Sequence, residues 1–184
     1  MIYDKITTII QEISAVLLST NDTDVKILID NLLNANNIVV CGAGRVGMAT
    51  RGFGMRLGHL GLKAYTLGDS TVPSIGEGDV FLISSGSGET QTIYDLVSIA
   101  KSRGVKIGLI TGNKDSRMGK ISDLIVQIKA PSKLSDGLGV NSIQPMTTLN
   151  EQCLWLFFDA LVLELMERMQ VSNEQMKLRH SILE

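Results

Sequence analysis

Asp79-Val80-Phe81-Leu82-Ile83-Ser84-Ser85-Gly86-Ser87-Gly88-Glu89-Thr90 decides how the rest of the chain is read. Its first part is a short apolar run, the pattern of a buried strand. From Gln91 to Arg103, Ile93, Leu96, Val97 and Ala100 share one helical stripe. The stretch between is therefore a strand-to-helix turn built of small residues and hydroxyls. Gly86 and Gly88 carry no side chain, so their backbone N–H groups can approach an anion closely. Ser85, Ser87 and Thr90 add neutral donors, and the helix N-terminus adds unpaired N–H groups and a partial positive charge. Together these parts form a phosphate cradle. No lysine follows the glycines, which excludes a nucleotide P-loop. An ordinary βα turn with a capped helix fits the same spacing; the density of hydroxyls favours a site.

Outward from this turn, strands alternate with helices. Ile38 to Cys41, Lys63 to Leu67, Val80 to Ser84, Lys106 to Thr111 and Leu124 to Ile128 read as strands. A helix runs from the Gly42–Gly47 turn to about Leu60, and a short one is expected at Arg117 to Ile121. Such alternation predicts βαβ units and a parallel sheet covered on both faces. Ligands of such sheets sit beyond the carboxyl ends of the strands, where both glycine-rich turns lie. Two helices precede the first strand: about Tyr3 to Leu18, and one capped by Asp22 or Asp24. A strongly apolar helix over Thr148 to Met169 and a last one over Asn173 to Leu183 follow the sheet. The polar loop from Ala130 to Pro145 is long enough to suspect function.

Bulk properties bound the function. With 17 basic against 19 acidic residues, the net charge is -2, which provides no field for nucleic acid or an anionic membrane. A 44% hydrophobic fraction in 184 residues allows one domain, residues 1–184, with a sizeable core. Cys41 and Cys153 stand in apolar segments without metal spacing and read as packed thiols. The N-terminus lacks the pattern of a signal peptide, and no apolar run is long enough to span a membrane. A cytoplasmic location is the expectation.

Gly42-Ala43-Gly44-Arg45-Val46-Gly47 matches the dinucleotide fingerprint G-x-G-x-x-G after a strand. The acid that should close the second strand is poorly placed, because Leu67-Gly68 precedes Asp69. Two phosphate-friendly turns at one sheet edge suit a sugar phosphate better than a dinucleotide.

Three segments together, Gly42 to Arg45, Met55-Arg56-Leu57-Gly58-His59-Leu60-Gly61 and Ser84 to Thr90, resemble the sugar isomerase (SIS) domain. Ser142-Ile143-Gln144-Pro145-Met146 with Glu151-Gln152, and the tail with His180 and Leu183-Glu184, resemble 6-phospho-3-hexuloisomerase more narrowly. The serine-rich turn marks only the superfamily; the Gln-Pro-Met segment and the tail point to this isomerase. The resemblance implies an α/β single SIS domain. Its fold is a flavodoxin-like three-layer α/β/α arrangement with a five-stranded parallel sheet and extra terminal helices. It implies a homo-oligomer, usually a tetramer. It further implies conversion of D-arabino-hex-3-ulose 6-phosphate to fructose 6-phosphate, with no metal and no cofactor. Val46 stands where serine is expected and Ile182 where asparagine is common, which bears on substrate preference.

Moving a ketone from C3 to C2 requires a proton taken from C2 and one delivered to C3 through a 2,3-enediolate. One carboxylate on one face can do both. Glu151, at the start of the apolar helix, is the candidate base. Read without the resemblance it is an acid that complements a helix dipole. His180 is the second catalytic candidate, as proton donor or enediolate stabiliser. Gly44, Arg45, Ser85, Ser87, Thr90 and Gln144 are the candidate substrate-binding residues. His59, near a helix C-terminus, has no assigned role. The tail from Val171 is expected to dock through Val171, Met176, Leu178, Ile182 and Leu183 at a subunit interface. The alternatives are a non-catalytic sugar-phosphate-sensing SIS module, an SIS isomerase for another sugar phosphate and, third, a dehydrogenase.

Overall fold

A computed structural model of the chain describes residues 1–131 and 141–183. Two helices, α1 (Ile2–Leu17) and α2 (Asp22–Asn34), precede the first strand. The sheet comprises β1 (Ile38–Gly42), β2 (Ala64–Thr66), β3 (Val80–Ser84), β4 (Lys106–Thr111) and β5 (Leu124–Gln127). Between them lie α3 (Gly44–Leu60), α4 (Gln91–Ser102) and α5 (Arg117–Ile121). After the sheet come α6 (Thr148–Met169) and α7 (Asn173–Leu178).

The strands are all parallel, in the order β2-β1-β3-β4-β5, the flavodoxin-like arrangement. Side chains alternate across the sheet with period two. Val40, Val80 and Leu82 face a core shared with α1, α2, α3, α6 and α7. Val39, Cys41, Phe81 and Ile83 face the core under α4 and α5. Both faces are dry, which is why the strands read as unbroken apolar runs. Cys41 and Cys153 are buried and unlinked, and burial pushes the Cys153 thiol up to about 12.

Two glycines of α3 allow close approach. A Cβ on Gly47 would lie 2.3 Å from the Gly42 carbonyl oxygen, so this glycine lets α3 start directly over the end of β1. Gly52 receives the Trp155 ring of α6 edge-on, 2.7 Å from where a Cβ would stand. Phe53 and Phe158 stack at 4.4 Å across the same pair of helices.

The structure departs from expectation at the α2 cap, at the end of the last helix and in the docking of the tail. Asn21, not Asp22 or Asp24, caps α2 by accepting from the Asp24 amide. It is the residue whose side chain reaches back to the third helical N–H. The last helix stops at Leu178, five residues early, where the Arg179 guanidinium turns to donate to the His59 and Leu60 carbonyls at the end of α3. The tail is half docked: Met176 is buried and Val171 packs on the core, while Leu178, Ile182 and Leu183 are exposed within one chain. Most of the suspected polar loop, residues 132–140, lies outside the described residues, as does Glu184. Among the described residues, no helix is long and apolar enough to cross a membrane, and no cluster of His, Cys, Asp or Glu could hold a metal ion.

Candidate active site

β1 and β3 are neighbours, and in their register Gly42 pairs with Ser84. The two glycine-rich turns therefore leave the sheet at the same level, at the point where strand order reverses. They floor a cleft of about 430 Å³ whose far wall is the start of α6. Three helices begin at this cleft: α3, α4 and α6. None receives a side-chain hydrogen bond from its own N-cap residue, Ala43, Thr90 or Thr147. Apart from the Thr148 amide of α6, which donates to the Pro145 carbonyl, their first-turn N–H groups and positive dipole ends are thus available to an anion.

In the serine-rich turn the side chains divide the work. Ser85 Oγ accepts from the Gly88 amide at 3.2 Å, and Ser87 Oγ accepts from the Glu89 amide at 3.2 Å. Each hydroxyl is fixed as an acceptor; Ser87 keeps its own hydrogen to donate, while Ser85 Oγ also meets Thr90 Oγ1 at 3.4 Å, where either can be the donor. Gly86 lines the cleft as expected, whereas Gly88 does not. Gly88 adopts φ 68, and a Cβ there would lie 2.0 Å from Ser116 Oγ. Its missing side chain makes room for the start of α5 rather than for a ligand. Glu89 accepts from the Arg117 amide at 2.9 Å, which turns its charge toward α5.

Glu151 lies in the opposite wall, its side chain 10% exposed. Both carboxylate oxygens are held. Arg45 Nη1 is 2.8 Å from Oε2, and Thr147 Oγ1 donates to Oε1 at 2.8 Å. Thr147 thus gives its hydroxyl to the carboxylate instead of capping α6. Arg45 comes from the first glycine turn and is 60% exposed, so it is the partner that can swing toward a substrate. Met146, just before, sits at φ 57. A non-glycine residue in that region costs on the order of 1–3 kcal/mol and persists only where its flanks are fixed.

Of the eight residues singled out in the sequence, six line this one cleft: Gly44, Arg45, Ser85, Ser87, Thr90 and Glu151. Gln144 does not line it; its amide donates to Glu12 Oε2 at 2.9 Å. Within one chain, His180 lies in a separate cleft between α3, α6 and α7, its ring 5.1 Å from that of buried His59. Arg56 Nη1 approaches His59 Nδ1 at 3.4 Å there. Sequence reasoning missed Ser84 and Asn150. Both line the Glu151 cleft while almost fully buried, and Ser84 Oγ and Asn150 Oδ1 have no protein partner among the described residues. An unpaired buried polar group costs on the order of 1–3 kcal/mol, which a polar ligand here would relieve. The only sequence signal for Asn150 is a polar amide beside Glu151 in an apolar helix; Ser84 looks like the end of a strand.

A switch-point cleft with three open helix N-termini, a hydroxyl turn and a held carboxylate belongs to proteins that bind and rearrange small phosphorylated metabolites. The family model for the SIS domain matches residues 31–154, and the chain belongs to that family. A protein named 3-hexulose-6-phosphate isomerase from Bacillus subtilis (strain 168) is 38% identical over 93% of this chain and 91% of its own length. One of the same name from Mycobacterium gastri is 33% identical over 94% of this chain and 86% of its own. A crystal structure from Methanococcus jannaschii, for which a molecular function of 3-hexulose-6-phosphate isomerase was inferred, superposes with TM-score 0.86 at 28% identity, covering 98% of this chain and 99% of that one. The protein is an SIS-domain sugar-phosphate isomerase related to these enzymes.

Proposed function

We propose that the protein interconverts D-arabino-hex-3-ulose 6-phosphate and fructose 6-phosphate. The observation that carries the reading is the held carboxylate: Glu151 faces the serine-rich turn across one cleft, with Arg45 and Thr147 on its two oxygens. Similarity to relatives named for this sugar, over more than nine-tenths of the chain, narrows the substrate.

In this reading Ser85, Ser87, Thr90 and the α4 N-terminus hold the phosphate, and the Gly44 turn lets the sugar approach the backbone. Glu151 removes the C2 proton of the open-chain hexulose. The electron pair forms the C2–C3 double bond, and the C3 carbonyl oxygen becomes the enediolate oxygen, which Arg45 stabilises. The C2 hydroxyl proton passes to the C3 oxygen, and Glu151 returns its proton to C3 as the C2 carbonyl forms. Nothing is oxidised or reduced overall. The 6-phosphate prevents the hexulose from closing a five-membered ring on its C6 oxygen, so ring opening is not required in this direction.

A closed oligomer is part of the same proposal. Ile2, Tyr3, Ile6 and Ile10 of α1, and Trp155, Leu156 and Leu163 of α6, are exposed in the isolated chain. Closed assemblies commonly bury such surfaces, and in one, a tetramer by the family resemblance, we propose that His180 reaches a neighbour's Glu151 cleft. The test is a coupled assay across 3-hexulose, arabinose and sedoheptulose phosphates. Fastest turnover of the 3-hexulose ester is expected. Faster turnover of another sugar would move the substrate assignment, and tight binding without turnover of any would favour the sensing module.

A further inference from the structure

Glu12 lies half-buried on α1, beside the core stripe of Ile9, Ile13 and Val16, and does not line the Glu151 cleft. Its carboxylate nevertheless accepts three hydrogen bonds from one distant segment: Ser142 Oγ at 2.7 Å, the Ile143 amide at 2.9 Å and Gln144 Nε2 at 2.9 Å. Ser142 Oγ in turn accepts from the Gln144 amide at 3.0 Å, which closes the segment on itself. The chain then passes through Pro145, whose carbonyl accepts from both the amide and the hydroxyl of Thr148. Met146 follows at φ 57, and next comes Thr147, which holds Glu151. The strained residue is therefore pinned on both sides, by Glu12 upstream and by the first turn of α6 downstream. Ile13 and Val16 bury the same helix against the core, so the anchor is itself fixed.

We propose that Glu12 is a positioning residue for the isomerase site: through Ser142, Ile143 and Gln144 it sets the Met146–Thr147 wall and thereby the aim of Glu151. Gln144 then serves as a strut of the wall rather than as a substrate contact. Burial pushes the Glu12 carboxyl up, but the bonds from Gln144, Ile143 and Ser142 outweigh it and hold it below the ordinary carboxylate range. The clamp is therefore charged and formed at neutral pH. A carboxylate mis-set by an ångström loses rate far more than it loses binding, because the phosphate is held on the other wall.

The turnover part rests on the isomerase reading; the exchange part does not. In Glu12→Ala, hydrogen exchange should accelerate at the amides of residues 142–147, Pro145 having none, and stay unchanged in the serine-rich turn. Turnover should fall on the order of tenfold to a hundredfold with little change in KM. Gln144→Ala, at a half-buried position outside the core clusters, should act in the same direction. The double variant should be no slower than Glu12→Ala, because both act through one strut. Glu12→Gln, which keeps an acceptor oxygen, should recover part of the rate. Ile13→Val loosens α1 without touching the clamp and is the control for general destabilisation. Unchanged exchange at 142–147, or an equal rate loss in Ile13→Val, would overturn the proposal. No turnover of any sugar phosphate by the unaltered protein would strike the isomerase reading instead, and the exchange comparison would still decide whether the clamp holds this wall.

Discussion

Apart from α1, whose N-cap Met1 makes no side-chain cap bond and which does not line the Glu151 cleft, helix starts in this protein fall into two groups. At α2, α5 and α7 a side chain closes the first turn: Asn21 accepts from Asp24, Ser116 from Gly119 and Ser172 from Gln175. None of these helices lines the Glu151 cleft. At α3, α4 and α6, which do, the N-cap residue makes no such bond. Thr90 and Thr147 have the right chemistry to cap and do not. The difference teaches where ligand charge is expected. Each open helix end presents roughly half a positive charge, and an N-cap bond would consume one of the donors that an anion needs. Only one of the three, α6, carries an acid in its first turn, Glu151.

The largest expected effect removes that acid. Glu151→Gln should lower turnover at least about a hundredfold while leaving phosphate binding largely intact, and near-normal turnover would end its assignment as base. Solvent deuterium should enter the product made by the unaltered enzyme. The tail comes next. Deletion from Met176 would strip a core residue, so removing His180 to Glu184 is the cleaner cut. Turnover should drop severely with folding preserved. Mixed Glu151→Gln and His180→Ala subunits should regain partial activity if the tail works in a neighbour's site; inactive hybrids after verified subunit exchange would exclude that arrangement.

Smaller effects compare the two groups of helix starts directly. Ser87→Ala should weaken inorganic phosphate binding by about 1.5–3 kcal/mol, the worth of a hydrogen bond to a charged oxygen. Asn21→Ala and Ser172→Ala should each cost about 1 kcal/mol in urea unfolding and leave phosphate affinity unchanged. Equal effects of both kinds of variant on phosphate affinity would erase the distinction. The smallest effect is the pH dependence of a single amide, that of Ile143, through its bond to Glu12. The folded pKa of Glu12 is depressed, so its stabilising contribution is fully present above the unfolded value, about 4.3. That contribution is lost as pH falls through the lower folded value. Protection of the Ile143 amide should therefore fade only below that window, and in Glu12→Ala it should be absent at neutral pH as well.

The sheet was legible because dry strands are written as local apolar runs: Val80–Ser84 and Lys106–Thr111 appear in the structure with the expected ends. Arg45, Ser85 and Glu151 were also readable, since each lies at a turn or helix start that the pattern marks. What stayed hidden depends on distance along the chain. Glu12 is one acid at the edge of the apolar stripe of α1, and its partners are more than a hundred residues away. Gln144 belonged to a recognisable segment, yet only three-dimensional packing shows its amide turned to Glu12. Gly88 looked like an opening for a ligand because a sequence does not reveal that Ser116 fills the space.

Trp155 is the single tryptophan of the chain and rests on Gly52, four residues beyond Glu151 on α6 and seven beyond Arg45 on α3. Its indole therefore bridges the two helices that carry the two halves of the ion pair. In the isolated chain it is partly exposed, at 44%, so its emission there is sensitive to the local solvent. Any ligand that draws Arg45 away from Glu151 and shifts α3 against α6 will change the surroundings of this one fluorophore. The protein thus carries an internal optical probe for its own cleft, usable in stopped flow without a label and without a second tryptophan to blur the signal.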